Sequence, residues 1–334
     1  MWYPFPAVRE CELKSPAIKN LVPHYLDGST MPNQQKISKV QLVGGLGNQL
    51  FCYAFGRYLE KSRGHSVVFD TSEINRGFTK HSVSILTVSL EGEFKNIREE
   101  LGKLLYWVRR ISFAIQARAA WVKAPKYLWP SYTAEQVGWD QKHEEIPEGH
   151  TFRGYFASLR YFTWLRDNDE GFTISLKTPS VFYEENKKVL EASDFLSLHV
   201  RRGDYVGMED VFGLVGRDYF LNGIRTLKEM GARWNRIAVF SDDLAIARVL
   251  LEGALEGERV IFIDPPAGTD DAESMALMTL ASCHVISNSS FSLWGAVLSQ
   301  AGDFVIAPEP WSKGMPMPVD LLPSSWTRKN ADFL

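Results

Sequence analysis

Two adjacent arginines sit inside "HVRRGDYV" (His199–Val206), directly after "DFLSL", an apolar run that reads as a buried strand. A guanidinium is always charged and its planar fork matches phosphate oxygens. A pair placed where a strand ends therefore suits an anion better than it suits solvent. Arg201 and Arg202 are the candidate anion ligands, and Asp204 is the nearest carboxylate in the motif. Asp204 has two open roles, orienting the arginines or taking a proton. His199 lies on the same strand end.

Three other clusters carry usable chemistry. "NSSFSLWGA", from Asn288, leads small polar residues into a helix; Asn288, Ser289, Ser290 and Phe291 would offer hydroxyls and free backbone N–H groups to an anion. A plain N-cap from Ser290 or Ser292 is the other reading. "SDD" (241–243) ends a strand with paired carboxylates, and Asp243 can accept two hydrogen bonds from guanine's N1–H and amino group. Capping the next helix is an equally open role for it. In the first half, "GGLGNQ" places Gly44, Gly45 and Gly47 where backbone could approach a ligand closely, with Asn48 and Gln49 opening a helix. The alternative is a tight turn with Asn48 as N-cap. A dinucleotide fingerprint fails here because Leu50 stands where a third small residue is required, and no P-loop Lys-Ser/Thr follows.

These clusters need elements to position them. "ISKVQLV", the glycine turn, "NQLFCYAFGRYLEKSRG" and "HSVVFD" read as strand, turn, helix and strand. "HTFRGYF" reads as a strand and "SLRYFTWLR" as a helix start. From "ENKKVLEA" onward a second alternation runs through "DFLSLHV", "RDYFLNGIRTLKEMG", "RIAVFSDD", "LAIARVLLEG", "RVIFID", "DAESMALMTLASC", "HVISNSS" and "SLWGAVLSQAG", and "DFVIAP" closes it. Strands regularly separated by helices predict parallel sheets covered on both faces. The division expected is an extension at 1–36, a Rossmann-like domain at 37–180 and a second at 181–334, whose last helix packs back on the first. Ligands of such sheets bind beyond the carboxyl ends of the strands, where all four clusters fall.

Composition narrows the classes. At 334 residues and 45 % hydrophobic, the chain can fill two cores. A net charge of −3 from 37 basic and 40 acidic residues argues against bulk nucleic-acid binding. Cys11, Cys52 and Cys283 form no C-x-x-C pair, which favours a reducing, cytoplasmic setting over a disulfide framework. The histidines show no zinc spacing, and Asp167-Asn168-Asp169 follows a helix, so it reads as a solvated turn rather than a metal motif. Lys103 to Lys126 carries six basic residues and no acidic one. It reads as a helix packed on the core, with contact at the inner face of a membrane as the alternative. Two arginines, an amide cradle, a base-reading acid and two α/β halves together describe a nucleotide-sugar cleft.

"LVGGLGNQLFCYAFGRYLE", "GYFASLRYF", "SLHVRRGDYV", "VFSDD", "MALMTLASCHVISNSSFSLWGA" and "VIAPEPWS" resemble, in this order, the motifs of the α-1,2-fucosyltransferases of glycosyltransferase family 11. The resemblance runs from about residue 38 to "LLPSSWTRK". It implies a GT-B-type α/β fold with two facing Rossmann-like domains and parallel sheets. It further implies inverting, metal-independent transfer of L-fucose from GDP-L-fucose to the 2-hydroxyl of a galactose-terminated oligosaccharide or glycolipid, with no cofactor. By the same resemblance Arg201 binds the β-phosphate, His199 lies near the base, Asp243 reads guanine, Ser289 and Ser290 hold phosphate, and Asn48 lies near the fucose. Leu293 and Phe212 depart from the usual residues, Trp and His, which bears on the acceptor more than on the donor. A fucosyltransferase of another linkage and a non-catalytic nucleotide-sugar-binding protein are the alternatives; an oxidoreductase is weakened by Leu50.

Overall fold

A computed structural model describes residues 36–74, 81–99 and 130–334. The extension at 1–35 and the basic 103–126 stretch lie outside the described residues. Strand β1 (Ile37–Gln41) enters the glycine turn, helix α1 (Leu46–Arg63) follows, and β2 (Ser66–Asp70) returns beside β1. Helix α1 stops at Gly64, whose φ of 69° lets its N–H reach Glu60 O and that of His65 reach Leu59 O. Only a residue tolerant of the left-handed region closes a helix this way without strain.

The first sheet is completed by β3 (Glu93–Lys95), β4 (Ser131–Thr133) and β5 (Thr151–Arg153), in the order β3-β2-β1-β5-β4, every pair parallel. Helix α2 (Leu159–Asp167) follows β5, with Ser158 accepting from Arg160 N as its N-cap. The Asp167–Asp169 turn terminates α2 as an exposed corner.

Helix α3 (Val181–Glu191) opens the second alternation: β6 (Phe195–Val200), α4 (Arg217–Glu229), β7 (Arg236–Ser241), α5 (Leu244–Leu251), β8 (Val260–Phe262), α6 (Asp271–Met278), β9 (Cys283–Val285), α7 (Ser290–Val297) and β10 (Val305–Glu309). The expected closing strand is not the last one. Residues Thr327–Asn330 form β11, parallel to β10 at the sheet edge. The order β8-β7-β6-β9-β10-β11 is the 3-2-1-4-5-6 winding of a dinucleotide-type sheet. It reverses between β6 and β9. All six residues of β6 are buried, as its apolar run requires of a central strand.

The chain's cores are not divided as two independent domains would divide them. The cores on the two faces of the second sheet gather around Leu198, Tyr219 and Val239 on one side and Phe195, Phe240 and Leu277 on the other. The largest core starts under the first sheet at Leu50, Phe51 and Phe55 and continues into Leu293 and Trp294 of α7. The Phe51 and Trp294 rings lie 5.0 Å apart. Leu321, Leu322 and Trp326 join the same core from the segment before β11. The C-terminal stretch therefore packs back on the first sheet's core as loop, and α7, the last helix among the described residues, reaches the same core through Leu293 and Trp294.

Four buried histidines, His65, His143, His199 and His284, couple this fold to pH, each with its pKa lowered first by burial. Burial pushes His199 and His284 down to about 3. A native pKa below the unfolded value means the unfolded chain binds the extra protons. Stability is then complete above about pH 6.5 and falls as pH drops toward 3, by up to about 2 kcal/mol per histidine between pH 6.5 and 5. Urea unfolding at pH 7 and pH 5 should show that loss, and H284V should make it measurably smaller.

Candidate active site

The reversal between β6 and β9 brings the sequence clusters to one level. Leu198 lies opposite Val285 and Val200 opposite Ser241, so continuing those registers sets Arg201 between Asn288 and Asp242. The strand ends are also tied directly. His199 Nδ1 and Ser287 Oγ share a 2.7 Å hydrogen bond, and the Tyr205 hydroxyl donates to Asn288 O at 3.0 Å.

Arg201 is the charged centre of this level. Its Nη1 meets Asp242 Oδ2 at 3.0 Å, its Nη2 donates to Asp204, and its guanidinium carbon lies 5.2 Å from the Tyr205 ring centroid. Burial opposes its charge, but Asp242 and Asp204 outweigh burial and raise its pKa above the ordinary value. Its Nε is buried without a partner among the described residues. Asp204 is thus placed to orient Arg201, one of the two roles left open for it. Asp242 shares that role from β7 and also accepts from Arg202 N at 2.8 Å; burial raises its pKa, with Arg201 opposing.

Four expected ligand residues spend side-chain hydrogen bonds within the fold. Arg202 is 2 % exposed, and its guanidinium donates inward to Arg201 O at 2.7 Å and Val215 O at 2.9 Å. It braces the loop that carries Arg201, and the pair does not face one anion together. Asn288 is equally buried; its Nδ2 donates to Phe212 O and Gly213 O, riveting the 203–213 segment to the β9 end. Gln49 spends its whole amide on backbone, donating to Gly44 O and Ser82 O and accepting from Ile85 N. Asp243 caps α5 by accepting from Ile246 N at 3.0 Å. His199 is 3 % exposed, with its ring 5.7 Å from that of Phe291. Phe212, at the acceptor-related departure, stacks on Tyr205 at 4.5 Å.

The start of α7 provides the remaining surface. Ser289 is its N-cap and accepts from Phe291 N at 3.3 Å, while Ser290 is half-buried in the first turn. The positive end of the helix dipole and the N–H groups of that turn favour an anion there.

The glycine turn of the first sheet meets this surface. A Cβ on Gly47 would lie 2.4 Å from Ser290 C and 2.6 Å from Phe291 N, so the missing side chain is what lets α1 press on the α7 turn. Gly44, at φ 67°, has Asn48 Nδ2 where its own Cβ would crowd it, 2.7 Å away. Helix α1 begins at Leu46 with Gly45 as N-cap, so Asn48 is inside the helix and does not cap it.

His81 and Asp271 escaped the sequence reading, which also passed over Asp242 for Asp243. His81 Nδ1 lies 3.4 Å from where a Gly45 Cβ would stand. Burial lowers the His81 pKa; Asp204 and Asp271 act to raise it and Arg201 to lower it. A neutral imidazole from the first half thus faces the charges of the second. Asp271, first residue of α6, has its own carboxyl raised by lost hydration and by Asp270, with Arg201 and His81 opposing. The bonds from Gln49 to Ser82 and Ile85 hold the 81–85 segment at the glycine turn. No motif marks His81 in "FTKHSVSIL".

The arrangement offers a fixed cation, a helix N-terminus and a neutral histidine around one junction. Among the described residues no group of three or more His, Cys, Asp or Glu is placed to hold a metal ion, and no helix is long and apolar enough to cross a membrane. Cys52 and Cys283 are buried and unpaired.

Comparison with known proteins defines the class. The family model described as glycosyl transferase family 11 matches residues 37–318. An alpha-1,2-colitosyltransferase of Escherichia coli is 30% identical over 300 residues, 86% of this chain and 97% of that protein. The O-antigen biosynthesis glycosyltransferase WbnK of Escherichia coli is 25% identical over 301 residues, covering 82% and 94%. The crystal structure of fucosyltransferase NodZ from Bradyrhizobium is 12% identical with a TM-score of 0.47, over 80% of this chain and 94% of that one. The protein is a glycosyltransferase. The chain belongs to glycosyl transferase family 11, and its described residues form two parallel-sheet α/β halves.

The Gly47 contact makes a direct prediction. Gly47→Ala should push the α1 start off the α7 turn and lower kcat/KM for transfer by about tenfold or more, with near-native circular dichroism. Wild-type kinetics in G47A would show that the contact does not position the site.

Proposed function

We propose that the protein is an inverting glycosyltransferase that moves L-fucose from GDP-L-fucose to the 2-hydroxyl of a galactose-type acceptor. The carrying observation is Arg201, held by Asp204 and Asp242 at the β6–β9 reversal, level with the Ser289–Phe291 turn and across from Gly47. In this reading the acceptor oxygen attacks the anomeric carbon from the face opposite the diphosphate. The bond from that carbon to the leaving oxygen breaks, and negative charge collects on the β-phosphate. Arg201 and the α7 N-terminus stabilise that charge, supplying what a divalent ion would supply elsewhere. Preorganisation is the point of the two carboxylates: they hold a guanidinium that otherwise has many rotamers to lose.

His81 is the recipient we assign to the acceptor proton, because it is kept neutral and belongs to the glycine-turn side. Asp243 keeps its guanine-reading assignment alongside its capping bond, and Asn48 its place near the transferred sugar. The cytoplasmic setting and the absence of a cofactor belong to the same proposal.

A second reading concerns the donor sugar alone. The 30%-identical relative is named for colitose, which is fucose without its 3-hydroxyl. The GDP-linked 3-deoxy sugar is therefore the competing donor.

The test is incubation with each donor and a panel of β-galactosides, with GDP release and product linkage measured. The proposal expects GDP release and an α-1,2 product from GDP-fucose. Exclusive use of the 3-deoxy donor would move the assignment to the second reading, and no transfer from either would overturn both. Arg201→Ala should cut transfer by about a hundredfold or more with the unfolding midpoint held; full activity would remove it from the site. Asp243→Ala should raise the donor KM more than it lowers kcat, and cost about 1 kcal/mol of stability through the lost cap. An unchanged donor KM would leave Asp243 as a cap only.

A further inference from the structure

The motif "GYFASLRYF" has no part in the site described so far, yet the backbone through it is strained. Phe156 has φ 48°, a conformation that a bulky aromatic rarely adopts. Its ring is fully buried and stacks on Phe55 at 3.9 Å and 6°. The kink that drives Phe156 inward turns its neighbour outward: Tyr155 is 46 % exposed, a large aromatic on the surface. Gly154 makes the kink possible, since a Cβ there would stand 2.8 Å from Ala134 Cβ.

The position of Tyr155 carries the argument. It lies two residues past β5, next to β1 at the point where the first sheet's order reverses. Continuing the pairing of Val40 with Phe152 sets Tyr155 level with Val43, one residue before Gly44. Cys52 Sγ on α1 clamps both strand ends, donating to Gly154 O at 3.5 Å and Tyr155 O at 3.9 Å, with the Val43 backbone also bonded to it. Exposed Val137 is drawn alongside by the 2.7 Å bond from Ala157 N to Val137 O. An apolar surface with a phenolic ring thus stands at the ligand-binding edge of the half that does not carry Arg201.

We propose that Tyr155 is the floor of the acceptor subsite, its ring stacking on the C–H face of the acceptor pyranose. This rests on the glycosyl-transfer reading above and names where that substrate sits. A pyranose face is apolar while its rim is hydroxylic, which matches an exposed aromatic ring beside a polar turn.

The experiment measures acceptor KM, donor KM and acceptor-independent GDP release for wild type, Y155A, Y155F and Y155W, with lactose as acceptor and GDP-fucose or its 3-deoxy analogue as donor. Y155A should raise the acceptor KM by about tenfold or more, with donor KM and acceptor-independent release within about twofold. Y155F and Y155W should stay near wild type, because the ring face is what binds. An unchanged acceptor KM in Y155A, while wild type transfers normally, overturns the subsite alone. Equal losses in Y155F and Y155A also overturn it, since the hydroxyl and not the ring would then be responsible. A wild type that transfers from neither donor overturns the functional reading and the subsite with it.

Discussion

Everything at the site depends on how closely two backbones approach. Gly47 has no side chain, and a Cβ there would overlap the Ser290–Phe291 peptide at 2.4–2.6 Å. That contact joins the glycine turn of one sheet to the anion-favouring helix start of the other. It also seats α1 against α7, so Phe51 and Trp294 belong to one continuous core. Interiors this close-packed transmit small displacements instead of absorbing them. The geometry of the junction is thereby set by the core beneath it.

Charge is arranged on the same plan. One arginine is held outward by Asp204 and Asp242, while its neighbour is turned inward onto carbonyls of residues 201 and 215. A buried guanidinium with hydrogen-bonded partners is tolerable, and unpaired it would be costly. Arg202 therefore stiffens the loop whose tip carries Arg201. The first half answers with a neutral histidine, His81, and an outward tyrosine, Tyr155. In the proposed reading, donor chemistry belongs to the β6–β9 reversal and acceptor chemistry to the β1–β5 reversal, each where a sheet's winding opens a crevice.

Much of the fold was legible because buried parallel strands are apolar runs: "DFLSLHV" and "RIAVFS" became β6 and β7, separated by helices with clear stops. The edge strands β3, β4 and β11 were not, since "EFK", "SYT" and "TRKN" are short, partly exposed and lack any alternation. At the site, residue type and strand-end position pointed to Arg201, Asp204 and the serine turn. They could not separate Arg201 from Arg202. Consecutive residues leave an extended chain on opposite sides, and the side each faces depends on what packs there. The same ambiguity hid Asp242 beside Asp243. His81 was beyond reach of any local pattern, and Gln49 was marked only as a possible ligand, because their place comes from contacts across more than thirty residues of chain.

The central claim is that the diphosphate sits on Arg201 and the α7 N-terminus, where the glycine turn of the first half presses on that turn. Hydrogen–deuterium exchange of the full chain with and without GDP tests it most directly. The account predicts simultaneous protection at 44–49, 201–206 and 288–292, with smaller changes elsewhere. Protection confined to one half, or centred on a region remote from these strand ends such as the α4–β11 face, would contradict it.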